Sequence, residues 1–187
     1  MKPFVVYDPA TGAIRFSGVV PDADIDKQGD NSLEGIGKVG QHYVDVATKT
    51  IVPIPPQPGS SYIWDTAAKT WTFQLSNGVA LKNAEIGRAA QAALTEVVAA
   101  YPDLEVATWP QQYAEAQAYT ANNSVATPML SAISNAAGLT IADLAANVIA
   151  KASAYQSASG AVVGKRIALQ TKIAAATTQA DLDAISW

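Results

Sequence analysis

Apolar positions follow two different rhythms along this chain. Up to about residue 80 they come in short runs broken by Asp, Pro and Gly; beyond it they recur at spacings of three and four. The first rhythm predicts strands joined by tight turns. One pattern repeats: Asp8-Pro9-Ala10-Thr11-Gly12-Ala13-Ile14, Asp45-Val46-Ala47-Thr48-Lys49-Thr50-Ile51 and Asp65-Thr66-Ala67-Ala68-Lys69-Thr70-Trp71. Two apolar or aromatic residues precede each Asp: Val6-Tyr7, Tyr43-Val44 and Ile63-Trp64. This is the signature of a β-hairpin. The Asp carboxylate opens the turn by accepting from backbone amides two or three residues on. The fifth position then adopts a left-handed conformation, which Gly12 tolerates freely and Lys49 and Lys69 at some cost. Between the second and third hairpins, Pro53-Ile54-Pro55-Pro56-Gln57-Pro58 is unfit for a central strand, because proline donates no ladder hydrogen bond. It is read as an extended connector rather than as a ligand for a proline-recognition domain.

The second rhythm predicts helices. Asn83 is expected to cap a helix to about Ala100, with Ile86, Ala90, Leu94 and Val97 on one face. Thr108-Trp109-Pro110-Gln111 has the form of a capping box opening a helix to about Ala121. Thr127-Pro128 starts another, ended by Gly138. Thr140 opens a long helix that either pauses at Gly160 and Gly164 or runs to Ala175, and Thr178-Gln179-Ala180-Asp181 caps a last short one. Alanine at so many contact positions implies close helix approach in places and solvent-facing helix surface in others. The fold class is therefore α+β: an antiparallel, hairpin-rich region over 1–80 followed by an Ala-rich helical domain over 81–187.

Composition sharpens the division. Residues 1–80 hold 7 prolines, 8 glycines and 7 alanines, against 3, 4 and 30 in residues 81–187. The whole chain has 187 residues, no cysteine, one histidine and a net charge of −4, shared equally between the two regions. Thiol chemistry and cysteine-ligated zinc are excluded. Scattered basic residues in an acidic chain argue against nucleic-acid binding. No apolar stretch reaches the length of a membrane span, and the apolar run Phe4–Tyr7 is too short for a signal peptide. The expectation is a soluble protein made in the cytoplasm, with no cofactor and no metal.

Four motifs invite chemistry and fail on context. Gly35-Ile36-Gly37-Lys38-Val39-Gly40 spells a dinucleotide-binding fingerprint, yet a strand rather than a helix is expected after it. Gly160-Ala161-Val162-Val163-Gly164-Lys165-Arg166 lacks one residue of a phosphate-binding loop and carries Arg166 where Ser or Thr would hold magnesium. Asp22, Asp24 and Asp26 are spaced as in an EF-hand, but Lys27 replaces its glycine and Leu33 its final glutamate. His42 has no serine nucleophile motif to serve. A non-enzymatic protein is expected.

The aromatic residues carry more information. Tyr62, Trp64, Trp71 and Phe73 gather on the third hairpin, where they either cover the sheet or form a sticky face for a partner. Trp109 at a helix start and Trp187 at the chain end complete the candidate partner-binding set.

Tyr43-Val44-Asp45-Val46-Ala47-Thr48, the run Pro53–Pro58, and Tyr62-Ile63-Trp64-Asp65 through Lys69-Thr70-Trp71 resemble bacteriophage and prophage tail proteins, among them tail fibre assembly proteins. The C-terminal part resembles a helical domain of phage tail proteins at Thr108–Gln112, Ala114–Ala116, Thr127–Leu130, Lys151-Ala152, Gly164–Arg166, Ala174–Thr178 and Leu182–Trp187. Together the likeness covers roughly residues 40–187. It implies an assembly chaperone that binds the tail fibre and supports its folding and trimerisation, or else a permanent component of the tail tip, baseplate or fibre network. The implied partners are tail fibre or tail tip proteins. The implied place is the host cytoplasm during assembly, with retention in the virion left open. The resemblance carries no catalytic residue, and the oligomeric state, including a homo-oligomer, is not readable.

Overall fold

Small antiparallel sheets form the N-terminal half and helices the C-terminal half of the computed structural model, which describes all 187 residues. The fold is α+β. The chain divides into two compact units, Met1–Gly78 and Val79–Trp187.

In the first unit, β1 (Lys2–Tyr7) lies between β2 (Ile14–Val20) and the short β3 (Ser32–Glu34), antiparallel to both. Two further hairpins follow: β4 (His42–Asp45) with β5 (Thr50–Pro53), and β6 (Tyr62–Asp65) with β7 (Thr70–Phe73). The turn repeat forms as its chemistry dictates. Asp8 Oδ1 accepts from Ala10 N at 2.9 Å, Asp45 Oδ1 from Ala47 N at 3.1 Å and Asp65 Oδ1 from Ala67 N at 2.9 Å. The fifth positions are left-handed in all three turns: Gly12 at φ 80°, Lys49 at 54° and Lys69 at 53°.

A left-handed lysine costs about 1–2 kcal/mol, and each lysine regains contacts across hairpins. Lys49 Nζ donates to the Tyr7 hydroxyl and lies 5.1 Å from that ring's centroid. Lys69 Nζ lies 3.3 Å from Asp45 Oδ1 and 5.6 Å from the Tyr43 ring. Gly12 is required for a second reason: a Cβ there would stand 2.0 Å from the Val44 carbonyl oxygen. Val44 N donates to Gly12 O at that crossing, which lets Val5, Tyr7, Ile14 and Val44 close into one buried cluster.

Two features of this unit, the Asp22–Gln28 segment and β3, depart from the sequence expectation, while the glycine run before β4 forms the loop expected of it. Asp22–Gln28, expected as polar loop, is a 3-10 helix; Asp22 pairs with the N-terminal ammonium and Asp24 with Lys27. The strand β3 has no alternation long enough to announce it. The Gly35–Gly40 run is a loop into β4, and Gly37 is pressed against Val5, Ile14 and Ile51.

The second half contains α1 (Leu75–Val98), α2 (Asp103–Val106), α3 (Trp109–Ala121), α4 (Pro128–Ala137), α5 (Ile141–Ala175) and α6 (Gln179–Asp183). Asn83 is not a cap. The helix begins eight residues earlier, directly after β7, and Asn83 lies inside it. Thr108 is not a cap either: its backbone is already helical, and its hydroxyl donates to Glu105 O at 2.7 Å, closing the turn of α2. Thr140 and Thr178 do cap, accepting from Asp143 N and Asp181 N, and Thr178 forms a full capping box with Asp181. The long helix passes through Gly160 and Gly164 without interruption.

Ala116 of α3 and Ala145 of α5 are buried together with Leu130 and Leu144. Small side chains at that contact let the two backbones approach. No single helix is long and apolar enough to cross a membrane; α4 and α5 satisfy the criterion only jointly, bent by 108°.

Candidate functional site

The third hairpin sets four rings on one face. Its register pairs Tyr62 with Phe73 and Trp64 with Trp71, and strand alternation turns all four side chains to the same side. The centroid distances are 5.6 Å and 5.4 Å, both edge-to-face. Trp64 also reaches Tyr43 of β4 at 5.7 Å, which joins the second and third hairpins into one aromatic row. All five rings are half-buried: packed against one another, yet open on part of their surface.

The proline run braces this row. Trp71 Nε1 donates to Pro55 O at 3.0 Å, Gln57 Nε2 to Tyr62 O at 2.8 Å, and Ile54 N to Gln41 O at 2.8 Å. The segment is thus an extended connector held to both hairpins. Trp64 Nε1 is shielded from solvent and meets no acceptor, an arrangement that costs about 1–3 kcal/mol.

The other two predicted residues belong to the helical unit. Trp109 contacts Tyr101 at 5.1 Å and Tyr155 at 5.6 Å, both edge-to-face. The three rings border a cleft of about 1240 Å³ within the helical unit, lined further by Tyr113, Met129 and Val148. Lys151 Nζ lies 5.7 Å from the Tyr101 ring at the same cleft. Trp187 takes Lys165 Nζ over its ring at 4.6 Å. The six candidates therefore fall into three places. Tyr43 and Tyr101 complete two of them and were missed, because neither lies within the aromatic-rich segment that drew attention to the third hairpin.

One buried carboxylate ties α3 to the start of α4 in the same unit. Glu115 of α3 accepts from Leu130 N at 2.9 Å, Met129 N at 3.3 Å and Gln111 Nε2 at 2.9 Å, and so caps α4 from a neighbouring helix. Burial pushes its pKa up, but the donors from Leu130, Gln111 and Met129 outweigh that and hold it below the usual glutamate value. The positive end of the α4 dipole suits the same charge. Every donor is engaged in structure, so Glu115 is a positioning residue for α4. Across both aromatic sites the chemistry on offer is apolar and aromatic contact.

Residues 150–187 match the family model of the HI1402 helical domain. That stretch comprises the later part of α5, all of α6, and the Lys165–Trp187 contact. No curated protein and no solved structure matches the chain.

Proposed function

We propose that this chain is a bacteriophage tail fibre assembly protein, which binds the fibre and supports its folding and trimerisation. The observation that carries this is the braced aromatic row of Tyr43, Tyr62, Trp64, Trp71 and Phe73, half-open and fixed in place by the proline run. Rigid aromatic rings with open faces are the usual anchors of protein interfaces. The likeness of these same segments to tail fibre assembly proteins supplies the partner. A fibre subunit awaiting its trimer mates presents apolar surface and unpaired strand edges, and a preformed aromatic face suits their temporary cover. The protein acts by binding, in the host cytoplasm during assembly, without catalysis or cofactor.

Affinity co-purification with the fibre encoded beside it tests this reading. The wild-type chain is expected to retain the fibre, and Trp64→Ala/Trp71→Ala, checked for folding by circular dichroism, to lose most of it. No retention by the wild type contradicts the proposal. Mass spectrometry of purified virions then separates a departing chaperone, absent from particles, from a permanent tail component present in fixed ratio.

A further inference from the structure

The cleft of the helical unit keeps its free amide and cationic donors on one helix. Its walls come from the end of α1 and from α2 to α5, and its volume of about 1240 Å³ exceeds the roughly 300–1,000 Å³ of an ordinary small-molecule site. Val97, Val106, Met129, Ile133 and Val148 make its lining apolar, and Trp109 and Tyr155 meet edge-to-face along it.

The polar side chains that α3 contributes are satisfied by their neighbours. Gln112 Nε2 donates to Thr108 Oγ1 at 2.8 Å, the Thr108 hydroxyl to Glu105 O at 2.7 Å, and Gln117 Nε2 to the Tyr113 hydroxyl at 3.0 Å. A ligand dense in hydroxyls or amides finds few partners there, and its desolvation goes uncompensated.

Asn147, Lys151 and Gln156 differ: all three stand on α5, and none has a hydrogen bond or an ion pair. Asn147 and Lys151 are one turn apart and so share a face of the helix. Lys151 Nζ rests 5.7 Å from the centroid of the Tyr101 ring, a cation beside the aromatic wall with no anion to neutralise it. Glu105, the one carboxylate on the wall, is exposed on the short α2 and lies beyond pairing distance of that ammonium.

We infer that this cleft binds a free fatty acid, with the alkyl chain on the apolar lining and the carboxylate on Lys151. The head group follows from charge and donor type. Lys151 supplies the opposite charge, and a carboxylate accepts hydrogen bonds only, which suits the ammonium and the Asn147 amide N–H one turn away. A cationic head would meet a like charge there. The alkyl chain follows from the rest of the wall, since it needs no hydrogen bond, and the volume favours a long chain over a short acid. The inference does not rest on the proposed function.

Isothermal titration calorimetry of the full chain with decanoate, below its micelle concentration, tests it. One decanoate per chain is expected, bound about tenfold more tightly than decanol. Lys151→Met, at an exposed position, is expected to lower decanoate to the affinity of decanol and to leave decanol binding unchanged. Ala152→Trp, which fills the cleft, is expected to abolish both; should it disturb the circular dichroism spectrum, Lys151→Met alone decides. Decyltrimethylammonium, the probe that Glu105 would favour, is expected to bind no better than decanol. A wild type that binds no decanoate overturns the inference. So does decanoate binding that Lys151→Met or a folded Ala152→Trp leaves unchanged, or that decanol or decyltrimethylammonium equals.

Discussion

Trp64 and Trp71 meet edge-on across the third hairpin, 5.4 Å apart at an interplanar angle of 66°, yet their indole nitrogens have opposite fates. Trp71 Nε1 is bonded to Pro55 O, while Trp64 Nε1 is shielded and has no acceptor. Replacement by phenylalanine separates the two. Trp71→Phe loses a hydrogen bond and is expected to destabilise the hairpin unit by about 1 kcal/mol or more. Trp64→Phe discards an unsatisfied donor, so its loss of ring area is largely offset. Denaturant unfolding followed by tryptophan fluorescence reads the order; Trp64→Phe being the more harmful of the two contradicts it.

Glycine substitutions are expected to change sign with position. Gly12→Ala sets a Cβ against the Val44 carbonyl in a left-handed turn, and a cost of about 2–4 kcal/mol follows from strain and overpacking. In α5, a Cβ at Gly160 or Gly164 meets nothing within 4 Å. Alanine there is expected to stabilise the helical unit by about 0.5–1 kcal/mol per site. Thermal unfolding by circular dichroism checks both, and a loss of stability in Gly164→Ala contradicts the open surroundings described.

Glu115 gives the helical unit a pH dependence of defined sign. Its folded pKa lies below the ordinary 4.5, so its contribution is full above about pH 4.5 and is lost as pH falls through the lower, folded value. Glu115→Gln is expected to cost about 1–3 kcal/mol at neutral pH, because charge-assisted acceptance from Leu130 and Met129 weakens. The gap between wild type and variant is expected to narrow below pH 4.5. Asp8, Asp45 and Asp181 shift in the same direction, so only the difference between the two proteins isolates Glu115. A gap that stays constant from pH 7 to acid contradicts this role.

The hairpins were legible because their turns are local chemistry. An Asp that bonds amides two residues on, and a left-handed fifth position, leave a mark within seven residues. Helix ends at Thr140, Thr178 and Gly138 were legible for the same reason. Asn83 misled because a good capping residue says nothing about whether the chain is already helical; α1 starts where β7 ends, and no side chain announces it. Glu115 was invisible because its partners lie fourteen and fifteen residues away and are backbone amides. Of the candidate site, Tyr62–Phe73 and Trp64–Trp71 follow from strand register. Tyr43 joins them only through packing between hairpins, and Trp109 and Trp187 belong to other places.

The measurement that bears most directly on the assembly role is the yield of trimeric tail fibre, produced with and without this chain and resolved by size-exclusion chromatography. The account predicts soluble trimer in the presence of the wild-type chain, and aggregate or unassembled subunit without it or with Trp64→Ala/Trp71→Ala. Equal yields of soluble trimer in the presence and absence of the chain would contradict it.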